Sequence, residues 1–182
     1  IDDVFNGLNE LGLSGLIIPE EYGGLGLDSL FAISVSESLG KGVAPYPFIG
    51  SFLIAPFLIN KLGSDSQKQK YLPSIANGEY RFAVALTEMT GRRIEKGIQS
   101  SKQKLSGQSL FVMDDIHSTH YLILDSDGAL HIVEAEESGL EKVELKTVDI
   151  TSFVSELKLD QVKTEDLGNA PGNIDVIKQA IN

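Results

Sequence analysis

The sequence predicts an α+β protein: an amino-terminal α-helical domain followed by an antiparallel β-barrel or sandwich domain. Three observations predict it. Up to residue 78 the apolar residues recur mostly at helical spacing. From Tyr80 onward the apolar runs are short and closely spaced, with Asp125-Ser126-Asp127-Gly128 as a hairpin turn between two of them. Strands packed so densely along a chain favour a barrel or sandwich over alternating βαβ units. The third observation is Gly15-Leu16-Ile17-Ile18-Pro19-Glu20-Glu21-Tyr22-Gly23-Gly24-Leu25-Gly26-Leu27, which separates the first two helical stretches. Proline fixes its own φ and glycine tolerates conformations other residues resist, so this stretch reads as a tight, irregular connection. Such a loop sets how two helices meet and is expected to leave backbone amides free.

The elements follow in order. Asp2 and Asp3 start a helix whose Val4, Leu8 and Leu11 share a face, and Gly12 stops it. Asp28 caps a second helix from Ser29 to Leu39, with Gly40 as its stop signal. Its apolar set, Leu30, Ile33, Val35 and Leu39, spreads over more than one stripe and predicts burial on several sides. The apolar run from Phe48 to Ile59 predicts a buried helix, started or kinked by Pro56. Ser64 and Gln67 form a capping-box pattern for a short helix through Tyr71, bounded by Pro73, and Asn77-Gly78 is a turn. Strands are predicted at Tyr80 to Thr87, Gly97 to Leu105, Ser109 to Met113, Tyr121 to Leu124, Leu130 to Ala135, Lys142 to Val148 and Leu157 to Val162. Asn173 caps a last helix with Ile174, Ile177 and Ile181 at helical spacing, expected to lack anything to pack against.

Composition narrows the function classes. Hydrophobic residues are 42% of the 182, enough for a substantial core. A formal net charge of -11 argues against nucleic acid and anionic membrane surfaces as partners. The absence of cysteine removes disulfides, thiolate nucleophiles and Cys-based metal sites. No apolar run reaches the ~20 residues of a membrane span. With no signal-peptide pattern at its start, the chain is expected to be cytoplasmic.

The glycines at 23, 24 and 26 invite a nucleotide-binding reading. A dinucleotide fingerprint follows a strand and opens a helix, whereas the residues before this loop are helical, and no P-loop lysine follows. A structural turn is the expected role. Asp114, Asp115, His117 and His120 place four metal-ligand types in seven positions, yet their spacing matches no helical His–His pair. Polar turn residues are the expected reading, and a metal-dependent hydrolase rests on this cluster alone.

Two long stretches in order, "LGLSGLIIPEEYGGLGL" from Leu11 and "KLGSDSQKQKYLPSIANGEYRFAVALTE" from Lys61, resemble the acyl-CoA dehydrogenase family. "LSGQSLFVMDDIHSTHYLIL" from Leu105 and "VDITSFVSELKLDQV" from Val148 extend the resemblance into the β half. It implies a helical domain at 1–78, a middle β-barrel domain at 79–168, and at 169–182 the start of a carboxy-terminal helical bundle otherwise absent. It also implies FAD as cofactor, α,β-dehydrogenation of an acyl-CoA thioester as in lipid β-oxidation, and an electron-transfer flavoprotein as acceptor. An oligomer of like or related subunits is implied too. The family's base is a glutamate of the carboxy-terminal domain, so no residue here is assigned as catalytic, and the chain alone is not expected to dehydrogenate.

The resemblance places Leu86 and Thr87 at the family's position where backbone groups and a hydroxyl meet the flavin. Phe111 and Met113 stand where the family usually has tryptophan and threonine beside the flavin. Phe111 keeps a flat apolar contact, while Met113 lacks the hydrogen-bonding hydroxyl. Met89-Thr90-Gly91-Arg92-Arg93 departs from the family's small phosphate-binding stretch; its arginines read as solvated surface, with pyrophosphate binding as the alternative. The shortened motifs resemble divergent members acting on steroid side chains or other bulky CoA thioesters. A second reading is therefore a non-catalytic, flavin-poor subunit that packs against an active partner.

Overall fold

A computed structural model describes residues 2–86, 97–149, 151–168 and 174–181. Helix α1 (Asp2–Glu10) ends where Gly12 turns left-handed at φ 80°. The glycine-rich stretch then folds back on itself. Leu25 N–H donates to Gly15 at 2.9 Å, Gly26 to Ile18 at 2.8 Å and Leu27 to Leu16 at 2.9 Å. Gly23 and Gly24 donate to Glu20 and Pro19. The amides from Gly23 to Leu27, expected to be free, are thus taken by carbonyls of the loop itself, so the glycine segment offers no phosphate cradle. Glycine is obligatory at position 24, where a Cβ would lie 2.1 Å from the Ile18 carbonyl oxygen.

Helix α2 (Ser29–Lys41) runs two residues past the expected stop, with Gly40 inside it and Gly42 following. Its apolar residues also depart from expectation. Ala32 is buried, but Leu30 is 67% exposed and Ile33 64%. Their face is turned outward because only the Ala32, Val35 and Leu39 side packs on the rest of the chain.

The long apolar run does form a buried helix, and Pro56 shapes it. A π-helical segment, Gly50–Ile54, leads into α3 (Ala55–Leu62), and the Ala55 N–H reaches back to the Gly50 carbonyl. Proline lacks an N–H and clashes with the carbonyl four residues earlier; widening the preceding turn by one residue relieves both problems. The capping box of α4 (Asp65–Ala76) forms as predicted: Gln67 N–H donates to the Ser64 hydroxyl, and the Gln67 side chain accepts from Ser64 N–H. Pro73 does not bound this helix but sits within it. Tyr71, Leu72 and Ile75, all buried, hold the last turns in place through packing.

The β half contains β1 (Phe82–Ala85), β2 (Gln99–Ser101), β3 (Lys104–Met113), β4 (His120–Leu124), β5 (Leu130–Glu134), β6 (Leu140–Glu144), β7 (Val154–Lys163) and β8 (Glu165–Leu167). The order across the curled, open sheet is β6-β7-β3-β1-β4-β5-β8, with β2 paired to β3. Every pairing is antiparallel except β1 with β4, so the sheet is mixed rather than wholly antiparallel. The single strand predicted over Gly97 to Leu105 is instead a hairpin of β2 and β3, turned by Lys102 at φ 53° and Gln103 at φ 56°.

Central β1 is buried on both faces and so defines two cores. Phe82, Val84 and Leu86 join the helices, Leu122 and Leu124 in one cluster. Ala83 and Ala85 join Val112, Tyr121, Ile123 and Leu157 inside the curl. This is the period-two alternation of a strand covered on both sides. Helix α5 (Ile174–Ile181) does not lack a partner, contrary to the expectation: Ile177 is fully buried in the helix-side core, where α5 packs against α3.

Candidate functional site

The site candidates gather where β1 and β3 meet. Val84 and Met113 are register partners of the antiparallel pair, so the chain leaving Val84 for Leu86 runs beside the part of β3 that comes from Phe111. The register of β3 against β7 slips between Ser109 and Val112, and Phe111 sits in that irregularity with φ 56°. A bulge re-aims side chains. Val112 points into the curl, while Phe111 is 57% exposed and Met113 37% exposed. Both present apolar surface to the outside at one end of the strand.

Leu86 differs. Its side chain is buried in the helix-side core, so only its backbone faces the β1 end. Thr87 lies outside the described residues, as do Glu88 and Met89 to Arg93. Of the four predicted cofactor residues, the structure therefore brings Leu86, Phe111 and Met113 to one end of β1 and β3.

The polar residues that follow Met113 part company. Asp114, at φ 60°, turns its carboxylate towards the helix side, where Oδ2 accepts from Gly50 N–H at 2.6 Å and Ser51 N–H at 3.4 Å. Desolvation raises its pKa to about 6, and the two backbone hydrogen bonds oppose the rise only in part. Gly50 permits this approach, since a Cβ there would meet Asp114 Oδ2 at 3.0 Å and Val84 at 3.3 Å. Ser51 makes a second bond to the sheet by accepting from Phe82 N–H at 2.9 Å.

Asp115 points the other way. It is buried and accepts from Tyr121 O–H at 3.1 Å, from Lys142 Nζ at 3.0 Å and from the Ser155 hydroxyl. Asp115, Tyr121 and Lys142 line a cavity of about 610 Å³ together with His117, Leu140 and Phe153. His120 lies in a third direction, stacked on Phe82 at 5.0 Å and close to Tyr71 and Tyr80. Burial pushes its pKa down to about 4, outweighing the Glu134 carboxylate, so the ring is neutral at pH 7. The four residues weighed as metal ligands thus diverge, and the described residues hold no group of metal-ligating side chains.

One buried arrangement escaped the sequence reading. His131 Nε2 meets Asp125 Oδ2 at 2.9 Å, and its Nδ1 meets Asp166 Oδ1 at 2.9 Å. Asp125 also accepts from Asp127 and Ala129 N–H, so this histidine ties the β4–β5 hairpin to β8. The alternation of His131 with Leu130 and Ile132 signals a strand but not these partners. In the stretch that begins at Val148, the Asp149 carboxylate accepts from Thr151 and Ser152; those bonds, from Ser152 first, lower its pKa to about 2.

Comparison with known proteins places this geometry. The model of the acyl-CoA dehydrogenase amino-terminal domain matches residues 2–79. A probable acyl-CoA dehydrogenase of Bacillus subtilis is 36% identical over 120 residues, covering 63% of this chain and 18% of the relative. Among solved structures, a steroid ACAD variant superimposes with a TM-score of 0.78 at 29% identity, over 96% of this chain and 50% of its own. An acyl-CoA dehydrogenase of Bacillus anthracis complexed with FAD gives 0.78 at 26%, over 94% of this chain and 33% of its own. The ChsE4-ChsE5 complex of Mycobacterium tuberculosis shares the fold at 0.81 and 24%, over 96% of this chain and 49% of its own. The chain thus spans half or less of each of these proteins. No helix among the described residues is long and apolar enough to cross a membrane. Helices followed by a curled sheet, and sequence likeness reaching from the first helix into that sheet, lead to one conclusion: the chain belongs to the acyl-CoA dehydrogenase family, of which it carries the amino-terminal and middle regions.

Proposed function

We propose that the chain forms the amino-terminal and middle domains, 1–78 and 79–168, of an FAD-dependent acyl-CoA dehydrogenase. The reaction is α,β-dehydrogenation of an acyl-CoA thioester, with an electron-transfer flavoprotein as acceptor. Residues 169–182 open a carboxy-terminal helical domain. The observation that carries the reading is the outward pair Phe111 and Met113 beside the end of β1. An exposed aromatic ring on a bulge, next to a polarisable thioether, fits a flat conjugated partner. Leu86 offers backbone groups and Thr87 a hydroxyl. When bound, FAD accepts the hydride lost from the acyl Cβ. The residues of this chain bind and orient; none is assigned as the base. Likeness to a steroid ACAD at 29% identity supports a bulky acyl group as substrate.

The test is the visible absorption spectrum of the purified protein with FAD added, and chromatography of the released cofactor. Stoichiometric flavin is expected, with affinity falling roughly 10-fold in Phe111→Ala as an aromatic contact worth ~0.5–1.5 kcal/mol and its buried area are lost. Absence of flavin uptake overturns the reading. Met113 favours a second one, because a thioether cannot replace a threonine hydroxyl as donor: the chain is then a flavin-poor subunit of a heteromeric dehydrogenase. Co-expression with a related chain separates the two, since only the second requires the partner for flavin uptake.

A further inference from the structure

The part-buried carboxylate of Asp114 has no part in the proposed flavin contact, yet it stands one residue beyond Met113 and reaches into the other half of the molecule. Its Oδ2 accepts from two consecutive amides, Gly50 and Ser51, at the start of the buried helix. Three features make this a built contact. Asp114 adopts a left-handed φ of 60°, which a non-glycine residue takes up at a cost. Position 50 is a glycine whose Cβ would crowd both the Asp114 carboxylate and Val84. Ser51, the second donor, also anchors the Phe82 amide through its hydroxyl, so the same helix turn holds both β1 and the end of β3.

Among the described residues no cation pairs with this carboxylate. The helix turn carries no charged side chain between Phe48 and Pro56, and β1 carries none between Phe82 and Ala85. Of its titratable neighbours in sequence, Asp115 is occupied by Lys142 and His117 is exposed at the cavity. Among the described residues two backbone amides hold the group, so this contact depends on the position of the helix turn rather than on a mobile side chain.

We propose that Asp114 is a positioning residue: by tying the end of β3 to the Gly50–Ser51 turn, it fixes the bulge that points Phe111 and Met113 outward for the flavin. This rests on the flavoprotein reading above. Its chemical requirement is an acceptor oxygen at that point rather than a charge. Asparagine supplies the acceptor and alanine does not.

The experiment compares the parent chain with Asp114→Asn and Asp114→Ala, using FAD titration, the flavin absorption bands and amide hydrogen exchange. Asp114→Ala is expected to weaken FAD binding roughly 10- to 100-fold, the range of a lost hydrogen bond to a charged group. It should also speed exchange at Gly50, Ser51 and Val112 by at least about 10-fold while the other strands stay protected. Asp114→Asn is expected to restore affinity, band positions and protection. Equal affinity and unchanged bands in Asp114→Ala overturn the proposal, as does failure of asparagine to rescue a variant whose other strands remain protected. If the parent binds no FAD, the flavoprotein reading falls and the flavin role of Asp114 with it. The exchange rates still decide whether the tie exists, so the two failures are told apart.

Discussion

Two helices of this chain begin beneath an aspartate, and they have little else in common. Asp28 caps α2 from the residue just before it, accepting from Leu30 N–H at 3.0 Å and Phe31 N–H at 3.4 Å in contact with water. Asp114 does the same for the buried helix from 64 residues away, with its carboxylate desolvated. The bodies of the helices differ likewise. Phe52, Ile54, Leu58 and Ile59 are buried in the helix-side core, whereas Leu30, Phe31 and Ile33 face outward. The same chemical device is a local stop signal in one case and a joint between two halves of the molecule in the other. What separates them is where the acceptor comes from, and that sets what each substitution should do.

The largest effect is expected inside the buried helix. Phe52 stacks on Tyr46 at 5.4 Å between centroids and lies 6.0 Å from Phe5. Phe52→Ala removes those contacts and leaves a cavity the neighbouring rings cannot fill, a loss of about 3–5 kcal/mol in urea unfolding. A loss below about 1 kcal/mol would mean that this core is loosely packed and the contrast with α2 is false.

The next effect separates the two caps by pH. Asp114 titrates at about 6 in the folded protein against an ordinary value of 3.8. The folded chain thus holds a proton that the unfolded chain has released. The associated stability is complete below pH 4 and is lost as pH rises through 6, in total about 3 kcal/mol for a shift of two pH units. Subtracting the urea stability of Asp114→Asn at pH 4, 5, 6 and 7 from that of the parent isolates this slope from all other groups. A difference that stays constant over the range would remove desolvation from the account of this joint. Asp28→Ala, by contrast, should cost about 1 kcal/mol, the typical loss of a Ser, Thr, Asp or Asn cap.

The local cap was legible in the sequence, and the distant one was not. Asp28 before a run of apolar residues is a signal contained in adjacent positions, as is the capping box of Ser64 and Gln67. Asp114 looked like part of a polar cluster with Asp115, His117 and His120, because sequence proximity says nothing about direction. A left-handed φ after β3 and the strand period send the four side chains to different places. The same limit explains the other departures. Lys102-Gln103 makes a turn normally signalled by asparagine and glycine, and the β1–β4 pairing joins residues 38 apart that no local pattern connects. Phe111 and Met113 were identified by resemblance; their outward direction came from a bulge, which depends on the partner strand β7.

The smallest expected effect concerns the outer face of α2, where the sequence was read as buried on several sides. Leu30, Phe31 and Ile33 are apolar, and by composition alone their replacement should hurt. Exposure says otherwise. In the unfolded and folded chain these side chains meet much the same water, so Leu30→Ser with Ile33→Ser should change stability by no more than about ±0.5 kcal/mol. The comparison with Phe52→Ala is then a test of burial against hydropathy, with chemically similar residues on two helices of one domain. A loss of 2 kcal/mol or more in the double variant, measured on dilute protein, would show that α2 packs this face against the chain after all. A loss that appears only at high protein concentration would show instead that the face is covered by a second molecule, since mass action makes such stability depend on concentration.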